Sequence, residues 1–319
     1  MIKHIKDKVI GGYKINKEEA LMLIEEELEE LCESANEIRE HFCQNNFDLC
    51  TIINGKSGRC SENCKFCAQS SYYNTASEVY SLMESKEILK DAKYNNSKGI
   101  LRYSIVTSGK RLSQNEVKLV CERYKMINSE TSLSLCASHG LLDYEDFIML
   151  KKSGVTRYHN NLETSRNNFE NICTTHTYDD KIDTLKAAQK AGLDICSGGI
   201  IGLGESMEDR IDMAFDLRSI SVKSIPINIL NPIKGTPFES IKCLAIEDVR
   251  RVVAIYRFIL PDAALRLAGG RILVKDSMEE IFKSGANAVI SGDMLTTMGV
   301  GIDTDISMIN KLGFKINRI

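Results

Sequence analysis

The chain has 319 residues, of which 43% are hydrophobic and 27% are charged, and these proportions are ordinary for a folded, water-soluble protein. Its net charge of -3 gives no reason to expect a nucleic-acid or membrane-surface partner. The segment 1–20 lacks the apolar stretch of a secretory signal, and no apolar run approaches the roughly 18 residues of a membrane span. We therefore expect a cytoplasmic protein.

The chain contains 11 cysteines, an odd number. A disulfide framework is not expected, because the cytoplasm is reducing and a chain of this length can build its own core. Free cysteine is among the most buried side chains, so part of this set is expected to serve packing alone. Five cysteines fall on helical or loop patterns and are interpreted as structural: Cys32, Cys43, Cys121, Cys173 and Cys243.

The chain begins with a helical region. Residues 16–42 carry apolar side chains at helical spacing, which predicts one long amphipathic helix. Asn16 is a candidate N-cap, and Glu19, three residues later, would complete a capping box. We expect residues 1–45 to form a helical extension outside the main body of the fold.

From residue 48 onward, short apolar runs alternate with longer amphipathic stretches, several of which end in glycine as helix C-caps do. This alternation predicts an α/β fold, and the number of strands favours a (β/α)8 TIM-type barrel, complete or partly open, over an open doubly wound sheet. We expect a single domain, 1–319, with the barrel at 46–319. The predicted strands are 49–54, 100–107, 132–137, 155–161, 193–200, 225–230, 263–268 and 286–291.

Three cysteines follow the first predicted strand with the spacing C-x3-C-x2-C: Cys60, Cys64 and Cys67. In a barrel this loop lies at the C-terminal face, where active sites are built. Thiolates select zinc or iron–sulfur clusters, and a four-iron cluster held by three of them keeps one iron open to a small ligand. A structural zinc ion would need a fourth Cys or His nearby, which residues 68–80 do not offer. Zinc, or no metal at all, remains an alternative.

The triplet, with Phe66 before its last cysteine, resembles the radical S-adenosylmethionine (SAM) superfamily. In that superfamily the open iron of a 4Fe–4S cluster binds SAM, and reduction of the cluster gives a 5'-deoxyadenosyl radical. Further blocks resemble the biotin synthase family from about residue 45 to the C-terminus. They are YHNNLETS, TTHTYDDKIDTLKAAQKAGLDICSGGIIGLGE, PINILNPIKGTP and RLAGGR.

This resemblance implies a sulfurtransferase that converts dethiobiotin to biotin by radical chemistry, with one SAM consumed for each hydrogen abstracted. It implies an electron donor such as flavodoxin or ferredoxin, and a homodimer. It also implies a second, auxiliary iron–sulfur cluster that supplies the sulfur, usually a 2Fe–2S cluster held by three cysteines and one arginine. Cys136, Cys196 and Arg266 match three of those positions, and the remaining cysteine position falls at Ser104, a poorer ligand for iron.

The strand assignment offers a replacement for the missing cysteine. Cys136, Cys196 and Arg266 fall on the third, fifth and seventh predicted strands. One interior layer of a barrel takes side chains from alternate strands, so the first strand should supply the fourth member, and it contains Cys50. Our hypothesis is that Cys50 is a ligand and that the auxiliary cluster differs from the usual form, as a four-iron cluster with an extra sulfide. The alternative for each cysteine is simple packing.

The resemblance also assigns residues to SAM and to the substrate. Asn161 ends the fourth predicted strand, and Glu163 follows it. The resemblance implies that Asn161 lies between the ureido ring of dethiobiotin and the ribose of SAM. It implies that Glu163 binds the ribose hydroxyls, where the family more often has Asp. Asn228 matches a contact to the ureido ring of dethiobiotin. Lys181 matches a basic residue for the SAM carboxylate, with a solvated helix face as the alternative. His159 is either a SAM contact or a wall of the pocket.

A glycine-rich stretch, 197–206, follows the fifth strand. It lacks the Gly-Lys-Ser/Thr of a phosphate-binding P-loop. The resemblance implies that this segment, with Gly202, lets the backbone approach the adenine of SAM. His139 is expected to be structural, with a place near the auxiliary cluster as the alternative.

Two other functions remain open from the sequence. One is a related radical SAM barrel enzyme that rearranges an amino acid or helps to mature a hydrogenase. It leaves the auxiliary-cluster residues, Asn161 and Asn228 unexplained. The other is a cluster-bearing assembly or sensor protein without turnover.

Overall fold

Parallel strands form a closed barrel in the computed structural model, which describes residues 1–319. The closure is made by β1 (Asn46–Lys56), which pairs with β2 on one side and with β9 on the other. This confirms the predicted (β/α)8 barrel. The remaining strands are β2 (Arg102–Thr107), β3 (Ser134–Ser138), β4 (Val155–His159), β5 (Asp194–Cys196), β6 (Gly199–Ile201), β7 (Ser224–Ile229), β8 (Ala264–Leu267), β9 (Ala288–Ser291) and β10 (Lys315–Ile316).

Helices connect the strands and cover the outside of the barrel. Capping boxes begin several of them, including α5, α6, α8 and α9, where a Ser, Thr or Asp accepts the backbone N–H of the third helical residue. No helix combines the length and apolar character needed to cross a membrane. The helices that follow β1 are α4 (Ser85–Ser97), α5 (Gln114–Glu130), α6 (Tyr144–Lys152), α7 (Phe169–Ile172), α8 (Tyr178–Lys190), α9 (Met207–Ser219), α10 (Ile246–Ile259), α11 (Met278–Lys283) and α12 (Ile302–Lys311), with a 3-10 helix at Arg271–Ser277.

The N-terminal region is helical, but the prediction of one helix over residues 16–42 is wrong. Three helices occur: α1 (Ile2–Ile10), α2 (Lys17–Met22) and α3 (Leu28–Cys43). The predicted capping box at Asn16 and Glu19 is confirmed. The helix is interrupted before α3 because Arg251 of α10 donates to the carbonyl oxygens of Ile24 and Glu26 at 2.9 and 2.7 Å. Those carbonyls are therefore bound by the barrel instead of by the next helical turn.

The predicted strand 193–200 is also interrupted. It divides into β5 and β6, which share one position in the barrel because both pair with β7. The cause is Gly198 between them: a Cβ at that position would lie 1.9 Å from the carbonyl oxygen of Pro226. Only glycine permits this close approach of two backbones, and the strand bends there.

The bottom of the barrel is closed by a buried carboxylate, Asp48 of β1. Its Oδ2 accepts from Arg102 of β2 at 2.8 Å and its Oδ1 accepts from Arg266 of β8 at 2.6 Å. The C-terminal strand β10 pairs with the start of β1, and this brings the backbone N–H of Ile319 to Oδ2 at 3.3 Å. Although burial opposes it, Arg266 and Arg102 hold the pKa of the Asp48 carboxyl well below its usual range.

Replacing Asp48 with Asn should therefore destabilise the fold. Arg102 and Arg266 are at most 7% exposed, and the substitution removes the side-chain carboxylate that both of them share. Breaking a buried ion pair from one side costs about 3–5 kcal/mol. The midpoint of urea unfolding measures the loss. The control is Asp303→Asn, which removes an exposed pair with Lys98 and should change the free energy of unfolding by less than about 1 kcal/mol. Equal effects of the two substitutions would contradict the expectation.

Candidate active site

A cavity of about 400 Å³ runs from the barrel interior to the loops at the carboxyl ends of the strands. The structure places every predicted site residue on its wall except Gly202. Most of these residues carry a thiol, an amide or a charged group, and Phe66 and His159 add rings to the wall. The predicted residues on the wall are Cys50, Cys60, Cys64, Phe66, Cys67, Cys136, His159, Asn161, Glu163, Lys181, Cys196, Asn228 and Arg266.

The mouth of the cavity is formed by the loop that carries Cys60, Cys64 and Cys67. The loop folds back on itself: the N–H of Cys60 donates to Gln69 at 3.0 Å, and the N–H of Cys67 donates to Cys64 at 3.0 Å. All three thiols lie at the cavity, and burial raises the pKa of the Cys67 thiol to about 11. Three soft donors on one loop fit an iron–sulfur cluster that keeps one iron for another ligand.

A fourth cysteine lies beside this loop, although the sequence pattern suggested packing for it. The Sγ of Cys173 is 3.6 Å from the Sγ of Cys64, and it is 3.4 Å from Nδ1 of His176. Nδ1 of His176 is in turn 2.6 Å from Oε2 of Glu62. The sequence carried one signal of a metal-binding pair, the spacing C-x2-H over residues 173–176. Only the fold shows that Cys173 lies beside Cys64.

Deeper in the barrel, Cys50, Cys136, Cys196 and Arg266 surround the floor of the cavity on β1, β3, β5 and β8. The four side chains are near enough to perturb one another electrostatically. Burial raises the pKa of the Cys50 and Cys136 thiols. Burial also opposes ionisation of Cys196, but His159 and then Arg157 and Arg266 lower the pKa of its thiol to about 7. Three thiols and a guanidinium in one layer fit a sulfur-rich, anionic group.

Arg157 of β4 is a floor residue that the sequence did not indicate. It stands opposite Cys136 in the pairing of β3 with β4, it is 5% exposed, and it lines the cavity. Its Nε is buried without a partner, and no carboxylate lies within ion-pair distance of the guanidinium. The hydroxyl of Ser104, opposite Cys136 on the other side, is likewise buried without a partner. A buried cation without a counterion is costly, so this position favours an anionic ligand.

Glu163 and Lys181 lie above the floor, on the loop after β4 and on α8. The backbone of Glu163 has a φ of 73°, and its Oε2 is buried without a partner. Lys181 is buried, so it does not belong to a solvated helix face; its Nζ is 3.9 Å from Oε1 of Glu163 and 3.2 Å from Oδ1 of Asn160. Strained backbone and an unpaired oxygen are typical of a residue held for a ligand.

Two amides are held firmly at the cavity wall. Oδ1 of Asn161 accepts from the N–H of Gly198 at 3.2 Å. Asn228 donates through Nδ2 to the carbonyl of Gly199 at 3.0 Å and accepts at Oδ1 from the N–H of Gly269 at 2.9 Å. These bonds fix which way each amide points, and each still has an N–H for a ligand.

Gly202 does not line this cavity, although it lies beside Leu230, which does, and its approach to a cofactor stays a prediction. Its φ is 97°, and its N–H donates to Oε1 of Glu205 at 2.7 Å, in a turn that begins α9. The glycine serves that turn, because its conformation disfavours other residues.

His139 is structural, as expected: it is fully buried between Thr107 and Tyr124, and burial lowers its pKa to about 3.

A loop after β9 was not foreseen as part of the site. Residues 294–297 line the outer part of the cavity. The loop is tied to β1 because Nδ2 of Asn54 donates to the carbonyl of Leu295 at 3.0 Å. It adds apolar and hydroxyl side chains to a wall that is otherwise rich in thiols and charges.

Two protein-family models match the chain. The Radical SAM superfamily model matches residues 56–217, which carry the cysteine loop and the strands up to β6. The Biotin and Thiamin Synthesis associated domain model matches residues 226–315, which carry Asn228, Arg266 and the last strands.

Curated proteins named biotin synthase are similar to the chain over nearly its whole length. The protein of Brachyspira hyodysenteriae is 57% identical over 315 residues, 99% of this chain and 95% of that protein. The protein of Clostridium botulinum is 58% identical over 311 residues, 98% of each chain. The protein of Akkermansia muciniphila is 57% identical over 309 residues, 97% of this chain and 96% of that protein.

Two solved structures share the fold. Methylornithine synthase is similar with a TM-score of 0.85 at 19% identity, covering 98% of this chain and 97% of that chain. The FeFe-hydrogenase maturase of Carboxydothermus hydrogenoformans is similar with a TM-score of 0.81 at 16% identity, covering 98% of this chain and 78% of that chain. At these identities the likeness concerns the fold alone.

The strain at Glu163 gives a test of the site. Replacing it with Gly should stabilise the cluster-free chain by about 1 kcal/mol, because glycine relieves the positive φ and removes the unpaired buried oxygen. Urea unfolding measures the change. Gln44→Gly is the matched control, since Gln44 is exposed with a φ of 54° and lies away from the cavity. If Glu163→Gly unfolds at a lower urea concentration than the wild type, the backbone conformation of Glu163 stabilises the fold and is not a strain kept for ligand binding.

Proposed function

This chain belongs to the biotin synthase family of radical SAM enzymes, and we propose that the cavity in its barrel is where it performs the family's reaction. The enzyme is a sulfurtransferase that converts dethiobiotin to biotin with SAM and a 4Fe–4S cluster. When bound, this cluster and SAM supply the radical that removes hydrogen from dethiobiotin, and the auxiliary cluster supplies the sulfur. The observation that carries the proposal is one cavity with a cysteine triplet at its mouth and a second thiol layer at its floor.

At the mouth, Cys60, Cys64 and Cys67 would hold the 4Fe–4S cluster. Each thiol faces the cavity, and the loop is braced by its own backbone hydrogen bonds. Three protein ligands leave one position for the amino and carboxylate groups of SAM, so the cofactor would be bound between the loop and the barrel. Phe66 and His159 line the same space and would form walls around it.

Glu163 and Lys181 would orient SAM. The unpaired Oε2 of Glu163 is an acceptor that a ribose hydroxyl can satisfy. The buried ammonium of Lys181 would pair with the SAM carboxylate, and its distance of 3.9 Å from Glu163 keeps the two charges loosely associated until the cofactor binds.

Asn161 and Asn228 would hold the ureido ring of dethiobiotin. Their amides are fixed by Gly198, Gly199 and Gly269, so their free polar atoms are presented to the cavity without a further loss of side-chain freedom. This placement would put the substrate between the mouth and the floor. Exclusion of water from this site would protect the reacting carbon atoms.

At the floor, Cys50, Cys136, Cys196 and Arg266 would hold the auxiliary cluster. Arg102, Arg157 and Arg266 line this region, and Asp48 is the one carboxylate that pairs with any of them. The excess of positive charge favours a cluster with high negative charge. It supports a four-iron cluster with an extra sulfide over the usual 2Fe–2S form, and Arg157 would serve as a counterion for that group.

We further propose that residues 1–319 work as one radical SAM barrel domain, with 1–45 as the helical extension and 46–319 as the barrel. The support is the packing of α3 on α10, where Arg250 donates to Glu29 at 2.6 and 2.8 Å. From its family we also propose that the protein is a cytoplasmic homodimer. It would receive its electrons from a flavodoxin or ferredoxin.

Anaerobic incubation with SAM, a reductant and dethiobiotin tests the function. We expect both 5'-deoxyadenosine and biotin, measured by mass spectrometry. Deoxyadenosine without biotin would point instead to another radical SAM reaction. The absence of both products would favour a cluster-bearing protein without turnover.

Replacing Cys50 with Ser tests the floor of the cavity. We expect the auxiliary cluster to lose its iron and sulfide while the 4Fe–4S cluster remains, because the two sites share no ligand. Anaerobic iron and sulfide counts with Mössbauer spectra measure both clusters. Cys121→Ser, a buried cysteine of α5 away from the cavity, is the control. Unchanged auxiliary-cluster content would disprove a role for Cys50 as a ligand.

Arg157→Met is a second arm of the same experiment. Removal of an unpaired buried cation should stabilise the cluster-free chain but lower the sulfide content of the loaded one. If sulfide content is unchanged, Arg157 is not the counterion of the auxiliary cluster.

A further inference from the structure

Cys64, Cys173 and His176 form a second set of metal-ligating side chains at the edge of the active site. Their ligand atoms all lie within 4.8 Å of one another. Cys64 belongs to the cysteine loop, whereas Cys173 and His176 lie between α7 and α8. Neither Cys173 nor His176 lines the main cavity, and the reaction proposed above uses neither of them.

The distances fit a tetrahedral cation. Zinc binds sulfur at about 2.3 Å and nitrogen at about 2.0–2.1 Å, so two sulfur ligands are about 3.8 Å apart and a sulfur and a nitrogen are about 3.6 Å apart. Here the two sulfur atoms are 3.6 Å apart. The Sγ of Cys173 is 3.4 Å from Nδ1 and 3.8 Å from Nε2 of His176. The 3.6 Å between the two sulfur atoms and the 3.8 Å between Sγ of Cys173 and Nε2 agree with the edges of such a tetrahedron.

Glu62 supplies the outer partner that a histidine ligand needs. Its Oε2 lies 2.6 Å from Nδ1 of His176, and both side chains are less than 10% exposed. A proton on Nδ1 that is donated to the carboxylate leaves the lone pair of Nε2 free for a metal. This carboxylate–histidine arrangement is common at zinc sites and increases the basicity of the ligand.

The two chain segments are joined without a metal. The N–H of Lys65 donates to the carbonyl of Ile172 at 2.9 Å, and the N–H of Asn63 donates to the hydroxyl of Thr175 at 3.1 Å. The ligands are therefore already in place, and binding a cation requires little ordering of the chain.

We propose that, in the cluster-free chain, Cys64, Cys173 and His176 bind one soft divalent cation of the Zn²⁺ type, with water as the fourth ligand. Binding releases the two thiol protons to solvent and involves no change of oxidation state. Cys64 is also assigned to the 4Fe–4S cluster, so cation and cluster exclude each other, and the cation must leave before the cluster is assembled. This exclusion rests on the proposed function, whereas the cation site itself does not.

Equilibrium dialysis of the reduced, cluster-free chain against Zn²⁺ alone tests the site, with Co²⁺ absorption spectra to report thiolate ligands. We expect one cation per chain. Cys173→Ala and His176→Ala should each weaken binding by more than about 100-fold, and Glu62→Gln should weaken it by about 10–100-fold at unchanged stoichiometry. The exposed Cys243→Ala is the matched control and should bind as the wild type does.

The double variant Cys60→Ala/Cys67→Ala separates this site from the cysteine triplet. We expect it to keep the cation. If it loses the cation while Cys173→Ala retains it, or if the wild type binds none, the proposal is overturned.

Reconstitution with iron and sulfide tests the exclusion. Zn²⁺ added beforehand should slow formation of the 4Fe–4S absorption in the wild type but not in Cys173→Ala. Equal slowing in both would overturn the exclusion. A chain that fails to make biotin but binds Zn²⁺ as described would refute the proposed function and leave the cation site standing.

Discussion

The architecture of the active site depends on one buried carboxylate. Asp48 binds Arg102 and Arg266 from the two strands that flank the closure of the barrel, and it also receives the N–H of the last residue. Because such bonds are short and directional, they fix the register of β8, β9, β1 and β2. They also direct the guanidinium of Arg266 into the interior, at the level where Cys50 faces the cavity.

Above Asp48 the barrel departs from the usual aliphatic filling. Branched apolar side chains normally pack the interior of such barrels. Here thiols, a serine and arginines occupy it, and their small or extended shapes leave a cavity instead of a solid core. Arg157 remains without a counterion, although a single carboxylate suffices for the other two arginines. An interior of this kind is costly without a ligand, which indicates that the fold gives up stability for binding.

The mouth of the cavity is organised by the contact between two loops. The cysteine loop is held by the segment before α8, through Lys65 with Ile172 and Asn63 with Thr175. This contact positions the triplet at the rim and, as a consequence, brings Cys173 and His176 to Cys64. This contact gives Cys64 two sets of neighbours. One set is Cys60 and Cys67 of its own loop, and the other is Cys173 and His176, which lie between α7 and α8.

The sequence by itself determined the features that depend on neighbouring residues. The alternation of strands and helices, the capping box at Asn16 and the C-x3-C-x2-C triplet are local patterns, and each has a physical signal within a few residues. Cys50, Cys136 and Cys196 line one cavity, as the rule that alternate barrel strands share a level leads one to expect, while the role of Cys50 as a ligand stays a prediction.

Only the tertiary structure decided the rest. The helix is interrupted before α3 where Arg251 binds its carbonyls, the fifth strand is split where Gly198 approaches the backbone of Pro226, and Gly202 lies in the turn that begins α9. The unpaired state of Arg157 and the contact of Cys64 with Cys173 likewise join residues far apart in the chain. Such features arise from distances between separate elements, and no periodicity or spacing along the sequence encodes those distances.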